Sequence, residues 1–152
     1  IQQRLGLLRG IQAGEGAQFF LLGREATEST LAELAGISTF IHANSMQEVA
    51  EKVHCFLQSN RLTAGQIDWF VTGKNGNPKE DTLYTDLEND LFPTATCSIF
   101  KNECGEYPTA SSFALWKVAK TFEENLNPGR TVLIYNHYHS INHSLILIRK
   151  RQ

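Results

Sequence analysis

At 152 residues the chain can build one hydrophobic core but not two large domains. Hydrophobic residues make up 41% and charged residues 20%, the balance of an ordinary globular domain. A formal charge of −2 excludes the strong field that nucleic acid or anionic lipid would need.

No apolar run approaches the roughly 20 residues that span a bilayer, and no signal-peptide pattern opens the chain, so neither membrane nor nucleic acid is an expected partner. Three cysteines, Cys55, Cys97 and Cys104, are an odd number without CxxC spacing. That argues against a disulfide framework and fits a reducing cytoplasm. The chain enters at once into Ile1-Gln2-Gln3-Arg4-Leu5 without an initiator Met. A piece of a longer protein and a processed chain would both begin this way.

The first strand is expected over 18–24, where Phe19 and Leu21 share one face and Phe20 and Leu22 the other. Being apolar on both faces suggests an interior strand. A second strand is expected over 31–42, with Gly36 as a bulge. Asn44-Ser45-Met46-Gln47-Glu48 pairs Ser45 with Glu48 in a capping box. The stripe Met46, Val49, Ala50, Val53 and Leu57 follows it as a helix. A short buried strand over 67–72 leads to a polar loop dense in turn residues. Leu83, Tyr84, Leu87 and Leu91 mark the next helix, which Pro93 follows.

A strand over 95–100 precedes a helix over about 109–124, whose first turn (Thr109, Ala110, Ser111, Ser112) is small enough for another backbone to approach. Asn127-Pro128-Gly129 ends that helix, and two apolar strands, 131–136 and 144–149, close the chain before a basic tip over 149–152 that reads as solvated. The order β-β-α-β-α-β-α-β-β predicts an α/β fold with a mixed, mostly parallel sheet covered by helices. The closing pair, joined by few residues, must be antiparallel. Loops after Thr72, Phe100 and Asn136 leave carboxyl ends of strands, where ligands gather in open α/β sheets, and can converge on one site.

Four segments carry candidate chemistry. Gly14-Glu15-Gly16-Ala17 leads into the first strand; four residues alone also suit a turn. The loop Val71-Thr72-Gly73-Lys74-Asn75-Gly76-Asn77-Pro78 offers Asn75 and Asn77 as hydrogen-bonding side chains. In Lys101-Asn102-Glu103-Cys104-Gly105-Glu106, the carboxyl of Glu106 can serve as a base if burial raises its pKa. It can equally form a structural ion pair with Lys101. The closing strands carry Asn136, His137, His139, Asn142, His143 and Ser144. His137 and His139 alternate by two and, with His143, could ligate a metal. Polar turns often contain histidine and no carboxylate lies nearby in sequence, so no metal or cofactor is assigned.

Taken in register, these segments resemble the β-ketoacyl-acyl-carrier-protein synthases. Gly14–Ala17 is similar to the Gly-Glu-Gly-Ala found before a strand in that family. The 71–78 loop, extended to Asp81, resembles the Ala-His-Gly-Thr-x-Thr-x-x-Asp loop, with Gly73 at the first active-site His. Residues 101–112 resemble Lys-Ser-x-x-Gly-His-Thr running into a small-residue helix, with Glu106 at the second His. Residues 136–145 resemble the closing Asn-Ser-Phe-Gly-Phe-Gly-Gly-x-Asn-Ala-Ser-Leu. There the glycine-rich gate is shortened to His137-Tyr138-His139-Ser140.

The resemblance implies the C-terminal half-domain of a thiolase-type fold, spanning 1–152, with the N-terminal half that carries the nucleophilic Cys absent from this chain. It implies a 3-oxoacyl-acyl-carrier-protein synthase-like role in fatty acid or polyketide-type condensation, not active as this chain alone. Glu106 and Lys101 stand as catalytic candidates. Asn75, Asn77, Asn136, His137 and His139 stand as substrate-binding candidates. The implied partners are an acyl carrier protein with acyl-phosphopantetheine and an N-terminal half or partner subunit, in a homo- or heterodimer. Two alternatives remain: a non-catalytic synthase-like subunit shaping an acyl pocket, and an unrelated small α/β ligand-binding protein. Cys55 and Cys97 are expected in the core, and Cys104 as a small buried side chain.

Overall fold

The computed structural model describes residues 11–43, 45–124, 126 and 129–151. Asn44, Asn127 and Pro128, expected at a helix start and a helix end, lie outside the described residues, as do Ile1 to Leu5.

The described elements are β1 (Ala32–Ile41), α1 (Met46–Ser59), β2 (Trp69–Thr72), α2 (Pro78–Asp90), β3 (Thr96–Ile99), α3 (Lys101–Cys104), α4 (Ala110–Glu123), β4 (Thr131–Tyr138) and β5 (Asn142–Lys150). One five-stranded sheet has the order β1-β5-β4-β2-β3. β2 pairs parallel with both β3 and β4, whereas β5 pairs antiparallel with both β4 and β1. The sheet is therefore mixed, with parallel and antiparallel pairings in equal number. The register of β1 slips between Leu34 and Gly36, placing the bulge where the glycine predicts it.

Two apolar layers explain the burial. On one face α1 and α2 lay Val49, Val53, Leu57, Tyr84 and Leu87 against Phe70, Leu133, Tyr135, Leu145 and Leu147. On the other, α4 lays Ala110, Ala114, Val118 and Phe122 against Trp69, Val71, Val132, Ile134, Ile146 and Ile148. The strands β4 and β5 alternate between these layers, so both faces need apolar residues. Each large side chain so buried contributes roughly 1.5–3 kcal/mol. Local signals set the helix starts: Ser45 Oγ accepts from Glu48 N, and Asn77 Oδ1 accepts from Lys79 N with Pro78 as the first helical residue.

Three expectations change and one element is added. Residues 18–24 form no strand. The stretch is extended, and within 11–24 the one bridge runs from Ala13 to Glu106. Phe19 to Leu22 are exposed because no described strand lies beside them, so the order begins at β1. A single helical turn, α3, follows β3 unannounced. Cys55 and Cys97 are exposed rather than in the core, Cys55 because it lies off the apolar stripe of α1 and Cys97 because β3 is a sheet edge. Lys150 completes β5, one residue beyond the expected strand, rather than joining a tail. No described helix is long and apolar enough to cross a membrane.

Candidate functional site

The carboxyl ends of β2, β3 and β4 bring three loops together. After β3 the chain makes the single turn α3 and reverses at Gly105, which has a φ of 74°. This left-handed conformation suits glycine, and it returns Glu106 to the lysine five residues earlier. Lys101 Nζ lies 2.7 Å from Glu106 Oε2, with the two side chains 1% and 12% exposed. The same ammonium donates to the His137 carbonyl at 3.3 Å, tying the end of β4 into the site.

The loop after β2 supplies the third wall. Asp81, in the first turn of α2, accepts from Asn75 N at 2.9 Å and Gly76 N at 3.0 Å. That anchoring directs Asn75 Nδ2 to Glu106 Oε2 at 2.8 Å and Glu80 Oε2 at 3.1 Å. Asn75 Oδ1 accepts from Asn77 N, so Asn75 is committed within the protein and Asn77 is committed to capping. Gln12, Asn75, Gly76, Lys101, Asn102 and Glu106 line a small polar cavity of about 100 Å³, room for a few waters. Glu106 Oε1 is buried without a hydrogen-bond partner.

A strap formed by residues 12–18 covers this site. Glu106 N donates to Gln12 O at 2.8 Å and Gly14 N donates to Glu106 O at 3.1 Å. A Cβ on Gly14 would stand 1.8 Å from Cys104 O, so only glycine permits this backbone contact. Ser112 Oγ then donates to Gln18 Oε1 at 2.5 Å. The small first turn of α4 thus meets the strap through a side chain, whereas the close backbone approach falls just before it, at Cys104–Glu106.

Gly73 is sterically closed. A Cβ there would lie 2.1 Å from Asn136 Oδ1 and 2.9 Å from Tyr84 Oη. Tyr84 Oη accepts from His137 N at 2.9 Å and its ring stacks on His137 with centroids 4.7 Å apart. Burial, then the neighbouring Tyr135, pushes the Tyr84 hydroxyl well above the ordinary tyrosine range, so it stays a neutral phenol.

The remaining candidates separate. Asn136 lies on the α4 side of the sheet, donating from Nδ2 to Ser111 Oγ at 2.9 Å. His137 lies on the other side, buried, with Nδ1 accepting from Ser140 N at 3.3 Å and Nε2 unpartnered. Burial, reinforced by Lys101 and His143, holds the His137 imidazole down to about 4. His143 is lowered too, by burial, and its Nδ1 lies 2.8 Å from Tyr135 Oη. His139 is exposed in the turn, where its φ of 53° ends the strand alternation and turns it away from any shared face with His137. Among the described residues no three His, Cys, Asp or Glu side chains are grouped to hold a metal. Burial raises the Cys104 thiol, disfavouring the reactive thiolate.

Tyr84 and Gln12 escape the sequence reading. Tyr84 belongs to an apolar helical stripe and so reads as core, and nothing in the spacing shows that its hydroxyl meets Gly73. Gln12 enters only because the strap crosses a segment far away in sequence.

No family model and no curated protein sequence matches the chain. Solved structures do. PfaC, a keto synthase–chain length factor, superposes with a TM-score of 0.74 at 14% identity over 85% of this chain and 14% of its own. The fold is that of the thiolase-like condensing enzymes. The ketosynthase structure AntDE:AntF, a type II acyl-carrier protein in complex with its ketosynthase, gives 0.63 at 14% identity, covering 80% of this chain and 39% of the other. The 3-oxoacyl-[acyl-carrier-protein] synthase III of Aquifex aeolicus gives 0.57 at 13% identity, covering 82% and 46%. The chain thus spans less than half of each of these thiolase-like neighbours.

Proposed function

We propose that the chain is the C-terminal half-domain of a 3-oxoacyl-acyl-carrier-protein synthase-like protein. In this reading it shapes the acyl pocket and receives the phosphopantetheine arm, but does not supply the donor pair that decarboxylates an extender unit. A Cys-bearing half or partner subunit completes it, and an acyl carrier protein is the partner that presents the substrate. The AntDE:AntF neighbour, a ketosynthase with its carrier protein, and the chain-length-factor neighbour PfaC support this assignment.

The observation that carries the reading is the space around Gly73, already occupied by Asn136 Oδ1 and Tyr84 Oη. No side chain fits at one of the two positions where the resemblance expects a histidine. At the other, Glu106 is paired with Lys101 and bonded by Asn75. An ion-paired carboxylate accepts hydrogen bonds, whereas stabilising a developing enolate oxygen needs donors.

A second reading has one observation in its favour. Glu106 Oε1 is buried, unpartnered and part of a residue lining the cavity, which suits a base. Condensation and malonyl-carrier-protein decarboxylation by the assembled protein separate the two. Glu106→Gln, alone and with Lys101→Met so that no lone buried charge remains, should leave both rates within about twofold. A loss of roughly 100-fold or more with the fold retained would establish Glu106 as the base instead.

A further inference from the structure

We infer that the turn between β4 and β5 is a proton-sensitive latch, closed while His137 is neutral and released when that ring takes up a proton. The inference does not depend on the synthase-like reading above. Ser140 N donates to His137 Nδ1 at 3.3 Å. The neutral ring therefore carries its proton on Nε2, which is buried and unpartnered. A further proton can go only to the lone pair on Nδ1. Protonation turns that acceptor into a donor, and the bond to Ser140 is lost.

The closed turn holds strain that this bond helps to offset. His139 and Ser140 have left-handed φ values of 53° and 52°, which side chains other than glycine resist. Ile141 N donates to Tyr138 O at 3.2 Å, and His42 N donates to Ile141 O at 3.1 Å. Both bonds belong to the same few residues, so they loosen with the turn.

The surroundings make the protonated state costly while the turn is closed. His143 stands directly opposite on β5, with ring centroids 5.7 Å apart, and Phe40 of β1 stacks on it at 4.7 Å. α2 presents Tyr84 and the Glu80 backbone carbonyl, α3 presents Lys101, β4 presents Tyr135, and the turn presents His139. Of these the Glu80 carbonyl favours a charged His137, whereas Lys101, His143 and His139 oppose it. The carboxylates of Glu80, Asp81 and Glu106 are engaged by Asn75, Gly76 and Lys101. Four of the five histidines, His42, His137, His139 and His143, gather at this end of the sheet. Lys101 Nζ also donates to the His137 carbonyl, so the latch acts directly beside the cavity at Lys101 and Glu106.

Amide hydrogen exchange read by NMR on the 152-residue chain tests this, each rate being divided by the intrinsic rate at its pH. Opening the turn returns His137 to its ordinary titration, so Ser140 protection should fall about 20-fold between pH 7 and pH 5. At pH 5 Ser140 should exchange at least about 100-fold faster than Leu133 and Ile146 of the inner strands, which marks the opening as local. His137→Asn, whose side-chain oxygen accepts without titrating, should keep Ser140 protected equally at both pH values. His137→Phe should leave Ser140 poorly protected at both. Wild-type protection that does not change with pH would overturn the inference. So would Ser140 exchanging in step with Leu133 and Ile146, or a 20-fold fall that persists in His137→Phe.

Discussion

At Gly73 the place of a side chain is taken by Asn136 Oδ1 and Tyr84 Oη, and at Glu106 a charge sits against an almost fully buried lysine. Removing one partner of such a pair leaves the other uncompensated, so Glu106→Gln alone should destabilise the fold by roughly 3 kcal/mol. The double variant with Lys101→Met should recover most of that loss, as chemical denaturation will show. His137 contributes a pH dependence. Its folded pKa of about 4 lies below the unfolded value of 6.5, so its stabilisation is complete above pH 6.5 and is lost as pH falls toward 4. The shift corresponds to roughly 3 kcal/mol. Between pH 7 and 4 the wild type should therefore lose roughly 10 °C more in melting temperature than His137→Phe, which keeps a ring against Tyr84 but cannot protonate. Equal losses would place the acid sensitivity elsewhere.

Among elements, the strap and the closing hairpin decide the site's shape. Gly14 and Gly105 let two backbones touch. Gly14→Ala should lift residues 12–18 from Glu106, seen as faster exchange of the Gly14 and Glu106 amides, with the sheet amides unaffected. The hairpin between β4 and β5 turns on His139 and Ser140, both with left-handed φ, a conformation that costs non-glycine residues about 1–2 kcal/mol each. It also supplies the Ser140 N–H that His137 Nδ1 accepts. Much of this level was legible beforehand. The stripes of α1 and α2, the bulge at Gly36 and the antiparallel closing pair all follow from local periodicity and turn chemistry. α3 was not legible, because a four-residue turn leaves no periodic signal. The 18–24 strand does not form, because a run apolar on both faces signals burial without naming a partner, and no described strand lies beside it.

For the whole molecule, two apolar layers share one sheet, and β4 and β5 contribute to both. The layers should melt together: near- and far-ultraviolet circular dichroism transitions should coincide, whereas a split would show the α4 face unfolding by itself. Neighbours along the chain carry the α/β class and the periods of α1, α2, β4 and β5, and the family resemblance singles out Lys101, Glu106 and Asn75 as candidates. The folded arrangement was needed to see that Tyr84 and Asn136 fill the space beside Gly73. It alone showed that Gln12 walls the cavity, that Asn136 and His137 face opposite layers, and that Phe19 to Leu22 meet no sheet. Each of these is a contact between residues distant in sequence, or the lack of one, and local patterns carry no information about such distances.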